Sequence, residues 1–524
     1  MKRTTLSRLT ALVMALGCLA SCSEQEPPTL VIVHTNDTHS QVEPGLDRQQ
    51  RPCGGAVERA ALAEAIRVGE DAEALYLDAG DAVQGSPYYN IFHGRVEMEC
   101  FNRMGLVAST FGNHEFDNGL SFLDSMLRWA EFPYVSCNYD VSGTLLAQNP
   151  NVREHLIVER KGVKIGITGV TCDPQDLIFG RHWEGITYTE PSTAANRKAA
   201  ELKAQGCDLV ILLSHAGYAK SDSIGDRYIA AQSTDIDLII GGHSHTNLET
   251  GDTVLNREGR PVYITQTGGK MNPIGRVRIE MEKAAPGRKG RWQVRSIACD
   301  KLHPEDFDLT SYGQAVRQIV MPYHDRLDEQ MSVVLGHAPE GMDRGKPQGP
   351  LGNFTADALV EAGARVQGVP MDLGLMNYGG LRAPLPQGDV TVGDLFRTYP
   401  FENTLTLCEL KGEHVQALID KMAGKKLECL SGGVEVRLRT VDHRTFASRV
   451  LVGGQPIDPE RYYWIATIDY LAEGNDGMRP LTLARRTVNT GILLRDVMIQ
   501  KVQDLTAAGL PVAAGVDGRI VEEP

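Results

Sequence analysis

The chain has no Cys-x-x-Cys pair among its ten cysteines, which excludes a zinc ribbon or a dithiol redox motif. It has no basic excess either: 53 Lys and Arg against 67 Asp and Glu give a formal charge of −14. Binding of a nucleic-acid polymer through a basic surface is therefore excluded. Beyond the N-terminus no apolar run is long enough to span a bilayer, and internal repeats and low-complexity tracts are missing. What is there is 524 residues, 42% of them hydrophobic, too apolar for disorder and too long for one core, so two domains are expected.

The first 21 residues contain no acids. They carry Lys2, Arg3 and Arg8 ahead of the apolar run Leu9 to Ala20, which is too short to cross a membrane but suits an export signal. The run closes in Leu19-Ala20-Ser21-Cys22, the form of a lipobox in which Cys22 becomes the acylated first residue. Residues 22–28 then form a polar tether, and the lipid predicts attachment at the cell envelope, on the periplasmic side or the cell surface. Loss of the three N-terminal cations takes the formal charge to −17, so positive charge for handling phosphates must be local, from metal ions or a few arginines. Cys408 with Cys429 is one possible disulfide; buried free thiols are the other reading.

In the first half, short β-branched runs alternate with amphipathic stretches. Strands are expected at Leu30 to His34, Ala74 to Asp78, Tyr134 to Cys137, Val163 to Val170, Leu209 to Leu213 and Leu238 to Ile240. Helices are expected at Gly55 to Val68, Pro87 to Met104, Leu120 to Ala130 and Ala194 to Gln205. This pattern predicts an α/β domain with helices on both faces of its sheets. From Val262 to Ile297 β runs follow one another, Ser311 to Met331 reads as one bridging helix, and a second α/β region follows the Gly- and Pro-rich stretch 345–352. The expected division is signal 1–21, tether 22–28, a first domain 29–305, a helical linker 306–344 and a second domain 345–524.

Five polar clusters follow five of the apolar runs. They are "TNDTHS" with Asp37 and His39, "AGDAVQG" with Asp81, "FGNHEFDNG" with Asn113, His114, Glu115 and Asp117, "LSHAG" with His215, and "GGHSHT" with His243 and His245. Each alone is an ordinary turn or loop histidine. In an open α/β sheet, however, groups at the carboxyl ends of strands converge on one crevice, and the order of all five carries the weight.

In that order, Asp-x-His, Gly-Asp, Gly-Asn-His-Glu, a lone His and Gly-His-x-His resemble the calcineurin-like dinuclear metallophosphoesterases, and "GNHEFDNG" resembles their 5′-nucleotidase branch. The resemblance implies a four-layer α/β/β/α metallophosphoesterase domain followed by an α/β substrate-binding domain, joined by a helix. Carried over position by position, it implies one metal ion held by Asp37, His39, Asp81 and His245, and a second held by Asp81, Asn113, His215 and His243. Imidazole, carboxylate and amide donors without thiolate suit Zn²⁺, Mn²⁺, Fe²⁺ or Co²⁺. His114 and Asp117 match the family's catalytic dyad, in which the carboxylate fixes the imidazole's tautomer and orientation. Glu115 reads as a helix-start residue favoured by the helix dipole. Two ions about 4 Å apart would activate a water for direct in-line attack on phosphorus, with no phosphate retained on the protein.

The second half resembles the substrate domain of the same nucleotidases through "LGNFTADAL", "MNYGGLR", "YPFENTL" and "DYLAEGNDGM". The resemblance implies a nucleobase sandwiched between Phe401 and Tyr470, and Arg382, beside Gly379 and Gly380, on the phosphate side. Asn377, Asn403 and Asp476 match polar positions around base and ribose. Tyr470 stands where a phenylalanine is common, and Arg344 and Lys346 are loose candidates for recognising a longer phosphate chain.

The expected activity is hydrolysis of nucleoside 5′-monophosphates by an exported, metal-dependent enzyme. Alternatives are a 2′,3′-cyclic phosphodiesterase/3′-nucleotidase, a UDP-sugar or nucleoside di- and triphosphate hydrolase, and, in a different class, a non-catalytic nucleotide-binding lipoprotein. The partners expected are a small nucleotide and, through the lipid, a membrane. Because metals and base clamp fall on different halves, turnover is expected to need the halves to move about 311–331.

Overall fold

The β-branched runs of the first half assemble into two sheets packed face to face. The computed structural model describes residues 26–46, 52–175, 177–178, 182–219, 224–269, 274–285, 290–424 and 427–523; the segment 1–21 expected to be an export signal and Cys22 lie outside them. One sheet has the order Trp292–Leu302, Ile274–Lys283, Thr29–Thr35, Leu75–Asp78, Leu106–Ala108. The other has the order Asp252–Leu255, Pro261–Thr265, Leu238–Gly241, Leu209–His215, Val163–Thr171, His155–Arg160.

Ile32, Leu75 and Leu77 of the first sheet meet Ile167, Ile211, Leu213 and Ile240 of the second in a fully enclosed layer. On the outer faces, Val31, Val33 and Tyr76 pack against the helices Ala56–Gly69 and Arg95–Met104. Val210, Leu212 and Ile239 pack against Pro191–Ala204 and Asp226–Gln232. These are the four layers α/β/β/α. A strand covered on both faces has no polar side, which is why these strands read as unbroken apolar runs rather than alternating ones. Each enclosed Ile or Leu contributes on the order of 1.5–3 kcal/mol by leaving water.

Thr29–Thr35, Leu75–Asp78 and Leu106–Ala108 run parallel. So do Val163–Thr171, Leu209–His215, Leu238–Gly241 and Pro261–Thr265. The loops leaving the carboxyl ends of these strands carry all five polar clusters. The antiparallel strands Ile274–Lys283 and Trp292–Leu302 close the first sheet, as the succession of β runs suggests.

Two local expectations change. The helix expected over Pro87 to Met104 is two helices, Pro87–Phe92 and Arg95–Met104, because His93 and Gly94 take left-handed φ values of 59° and 81° and end the first turn-run. Tyr134 to Cys137 shortens to Tyr134–Val135, after which the Cys137 amide leaves the ladder to donate to the Gly169 carbonyl.

The bridging helix is Gln314–Met331, which lays Val316, Val320 and Leu327 onto the first domain. The strand after it, Val334–Ala338, pairs antiparallel with Gly388–Thr391, so the second unit takes up the chain ahead of 345 and the Gly- and Pro-rich stretch lies within it. That unit is built on a five-stranded sheet, in the order Cys429–Leu430, Leu373–Met376, Tyr462–Ile468, Thr404–Lys411, Arg486–Leu493, with the helices Pro350–Gln367, Gly412–Ala423 and Leu494–Ala507. Cys408 and Cys429 are both free and buried, so the disulfide pairing gives way to the thiol reading.

Candidate active site

The loops after the strands are stitched to one another by backbone. The amides of Asp37 and His39 donate to the carbonyls of Gly80 and Asp81 at 2.9 Å, tying the first cluster to the second. The His243 amide donates to Asp37 Oδ1 at 2.9 Å, tying the fifth cluster to the first across both sheets. Gly112 lies so close to Asp81 that a Cβ there would strike the Asp81 carboxylate, so a side chain is excluded at that position.

Asp37, His39, Asp81, His243 and His245 all take left-handed backbone conformations, with φ of 49°, 46°, 53°, 68° and 51°. Each costs a non-glycine residue on the order of 1–3 kcal/mol and persists only where the surroundings over-determine it. The strain turns successive side chains inward from the tips of tight loops.

The side chains converge in three groups linked through His39 and Asp81, namely Asp37 with His39 and His245, His39 with Asp81 and His114, and Asp81 with His215 and His243, with donor atoms of each group within 4.8 Å of one another. Asn113 joins the third group, its Oδ1 lying 3.0 Å from His243 Nδ1. His39 Nε2 lies 3.0 Å from His245 Nε2 and 4.0 Å from Asp81 Oδ2, which sets Asp81 between the first group and the third. All seven residues that the resemblance implies as donors thus lie in one cluster.

These residues fit divalent cations on two counts. His215 Nδ1 sits 2.7 Å from the Ala79 carbonyl, which fixes its proton there, while Nε2 is buried and makes no hydrogen bond. A lone pair so placed faces Asp81 Oδ2 at 3.0 Å and calls for a cation between them. Burial opposes charge on His215, yet the Asp81 and Asp37 carboxylates drive its pKa up to about 10, so the cavity demands positive charge. A metal ion supplies that charge and leaves the imidazole neutral as a ligand.

His114, of the second group, stands with its ring 5.3 Å from that of His39. Its Nδ1 is 2.7 Å from Asp117 Oδ2, which also accepts from Gln84 Nε2 at 3.1 Å. Burial works against a charged imidazole, but Asp117 and then Asp81 outweigh it and raise the His114 pKa to about 9. The ring is thus held in one orientation, with its other nitrogen available as a proton donor.

Glu115 does lie in the first turn of the short 3-10 helix His114–Phe116, but its carboxylate serves more than that turn. It is fully buried, and its carboxylate accepts the amides of Ala82 at 2.9 Å, Asp81 at 3.1 Å and Gly112 at 2.6 Å. It therefore clamps the loop of Asp81 onto the loop of Asn113 and His114. Its pKa rises to about 8, first from burial and then from the charge of Asp81. Gln84, a second orienting group for Asp117, was legible only as part of "AGDAVQG" and carried no signal of its own.

The second half brings Phe401 and Arg382 to the same place, while its polar candidates make their pairs within that half. The Phe401 ring lies 6.0 Å from that of His114, nearly parallel to it, and the Arg382 guanidinium sits over the Phe401 ring at 5.4 Å from its centroid. His39, Gln84, Gly85, His114, Arg382, Pro400 and Phe401 line one cleft between the halves. Asn377 Nδ2 donates to Asp476 Oδ2 at 2.5 Å, Tyr470 Oη reaches Asp476 Oδ1 at 3.5 Å, and Gly379 and Gly380 turn beside Asn377. Asn403 and the Tyr470 amide share Asp469 Oδ1, at 3.3 and 2.9 Å. Asp469, a polar anchor for both loops, escaped the sequence reading because it looks like any strand-ending aspartate.

The layered fold with an acidic, imidazole-rich centre at its strand ends defines a metallophosphoesterase. Residues 30–247 match the calcineurin-like phosphoesterase family and residues 334–482 match the 5′-nucleotidase C-terminal domain. The chain belongs to the calcineurin-like phosphoesterases that carry this C-terminal domain, and it is a phosphoric-ester hydrolase. It is 26% identical to protein UshA of Yersinia enterocolitica, covering 94% of each chain, and 25% identical to a 5′-nucleotidase of Vibrio cholerae, again over 94% of each. It is 24% identical to a trifunctional nucleotide phosphoesterase of Bacillus subtilis, covering 95% of this chain but 36% of that longer one. Among solved structures, the 5′-nucleotidase precursor of Thermus thermophilus superposes with a TM-score of 0.76 at 27% identity, over 95% of this chain and 100% of that one.

Proposed function

We propose that this protein is a 5′-nucleotidase, exported and held at the cell envelope by a lipid on Cys22, which hydrolyses nucleoside 5′-monophosphates with two divalent metal ions. The observation that carries the reading is the meeting of Phe401 and Arg382 with His114 in one cleft, which joins a ring suited to stacking a base to the group beside the metal donors. Asp37, His39, Asp81 and His245 would hold one ion; Asp81, Asn113, His215 and His243 would hold the other. When bound, the pair supplies Lewis acidity and an activated water.

The remaining work falls to the chain. Phe401 and Tyr470 orient the base, Asn377, Asn403 and Asp476 line the ribose side with the Gly379-Gly380 turn, and Arg382 meets the phosphate with its rigid fork. His114, held by Asp117, delivers a proton or a hydrogen bond to the leaving oxygen. A monophosphate is favoured over longer chains because Arg344 is engaged by the Leu381 carbonyl at 2.9 Å, and Lys346 lies over the Tyr378 ring with Glu428 3.9 Å away. Among the described residues no helix is long and apolar enough to cross a membrane, so attachment rests on the N-terminal lipid.

The test is a panel of 5′-AMP, 2′,3′-cyclic AMP, UDP-glucose, ADP and ATP at equal Mn²⁺ loading, with a chelated control. Fastest phosphate release from 5′-AMP, abolished by chelation, is expected. A preference for the cyclic ester or UDP-glucose would replace the substrate assignment, and no release from any of them would favour a binding protein. Labelling of the membrane-extracted protein with a fatty-acid analogue, lost in Cys22→Ser, tests the anchor.

A further inference from the structure

Two of the strained ligand candidates, His243 and His245, sit within five residues whose ends are both held by a single side chain. Gln266 follows the strand Pro261–Thr265 and is completely buried. Its Nε2 donates to the Gly242 carbonyl at 2.8 Å, and its Oε1 accepts from Ser244 Oγ at 2.9 Å and from the Thr246 amide. One face of the amide can only donate and the other only accept, so these partners fix its orientation.

The neighbouring chain repeats the device on the other side of the site. Asn36 Oδ1 accepts the Thr267 amide at 2.9 Å, and Asn36 Nδ2 donates to the Gly268 carbonyl at 2.6 Å and to Asp37 Oδ2 at 2.5 Å. Residues 266–268 are thus joined to the loop of Asp37 and His39 through Asn36, and to the loop of His243 and His245 through Gln266. The Gln266 carbonyl is in turn held by the Leu248 amide at 3.1 Å and by the half-buried Lys301 Nζ at 2.9 Å.

We infer that Gln266 is a positioning residue for the metal centre: by spanning Gly242 to Thr246 it imposes the left-handed conformations of His243 and His245 and so sets the separation of their imidazoles. Those two rings belong to different donor groups, so their separation governs the spacing of the two ions. Without Gln266 the loop would relax toward ordinary φ values and release its backbone strain, turning the imidazoles out of register. No motif contains this residue, and it touches neither donor atoms nor substrate. The inference rests on the dinuclear reading of the site.

The test uses Gln266→Met, which keeps volume and removes the hydrogen bonds, and Gln266→Glu, which keeps the acceptor and sets a second oxygen against the Gly242 carbonyl. Metal-free protein is titrated with Mn²⁺ by calorimetry, and the doubly loaded protein is examined by electron paramagnetic resonance for coupling between the two Mn²⁺ ions. Both variants are expected to bind Mn²⁺ about 10–100-fold more weakly and to lose the coupled spectrum, with kcat reduced and KM for 5′-AMP little changed. Melting of the metal-free protein monitors folding, and Gln266→Glu serves if Gln266→Met does not fold. Wild-type affinity and coupling in a folded variant, with or without a lower Tm, would overturn the inference alone. A wild-type protein that binds no Mn²⁺ would overturn the metal-centre reading and this inference together.

Discussion

The rings of His114 and Phe401, 287 positions apart in the chain, lie 6.0 Å from centroid to centroid with their planes 23° apart. Beside them Asn90 Nδ2 donates to the Pro400 carbonyl at 2.8 Å and to Glu402 Oε1 at 3.2 Å, and the buried Arg495 holds the same Glu402 oxygen at 2.8 Å. The two halves are therefore clasped at the cleft. If turnover needs the halves to move, as the placement of metal donors and base clamp on different halves leads one to expect, this clasp must open. A disulfide engineered between positions 90 and 402 is expected to stop turnover of 5′-AMP and to restore it on reduction. Undiminished turnover in the oxidised protein would remove the requirement for motion.

Phe401→Ala separates base recognition from phosphate chemistry. Loss of one stacking ring is worth about 1–3 kcal/mol, so KM for 5′-AMP should rise roughly 5- to 150-fold. Turnover of p-nitrophenyl phosphate, which has no base, should change little. Equal losses on both esters would mean that Phe401 supports the His114 ring rather than the substrate.

His114→Ala should lower kcat for 5′-AMP by about 10²–10⁴-fold with KM nearly unchanged, because it removes a group acting on the leaving oxygen. Asp117→Asn should cost about 10–100-fold, since Gln84 still reaches position 117 but the imidazole loses its carboxylate. Metal content measured on both variants should match the wild type. A loss of bound metal would recast His114 as a ligand.

Glu115→Gln replaces a carboxylate that accepts three amides with a group that presents N–H to at least one of them. The change should destabilise the protein by roughly 1–3 kcal/mol, the cost of leaving a buried donor without an acceptor. Activity should fall with it, because the Asp81 loop loses its tie to Gly112 and His114. Thermal melting together with kcat checks both. An unaltered Tm would show that the loop holds itself.

Arg519 binds Asp357 and Asp517 at once, at 2.8 and 2.7 Å, and fastens the C-terminal strand Ile520–Glu523. The hydrogen bond from Arg519 holds the Asp517 pKa down at about 2. A carboxylate depressed in the folded state adds stability above its ordinary range near 4, and that stability is lost as the pH falls toward 2. Arg519→Ala should therefore lower Tm at neutral pH and flatten its decline between about pH 4 and 2. A decline as steep as that of the wild type would exclude this pair from acid unfolding.

Much of this was legible without coordinates because it depends on order along the chain. A strand buried on both faces must be apolar throughout, so Leu209–His215 and Leu238–Gly241 announce themselves, and the polar residues that end them are placed by the strand direction alone. The clamp made by Glu115 was missed for the opposite reason: a glutamate in the first turn of a short helix looks alike whether it faces water or the amides of a loop 33 residues upstream. The split at His93-Gly94 was missed because only a left-handed φ, and no change of apolar period, marks it.

The sequence by itself determined the α/β character of the first half and the order of the polar clusters at its strand ends, which follow from residue type and spacing. The donor residues and the aromatic and basic groups of the second half were what the resemblance of those motifs to a known family implied. Only the tertiary structure decided that Phe401 faces His114, that Glu115 clamps the Asp81 loop, and that Gln266 spans the turn carrying His243 and His245. Those are contacts between side chains and the backbone of distant segments. Such pairings depend on how rigid elements pack, and no local propensity or periodicity encodes them.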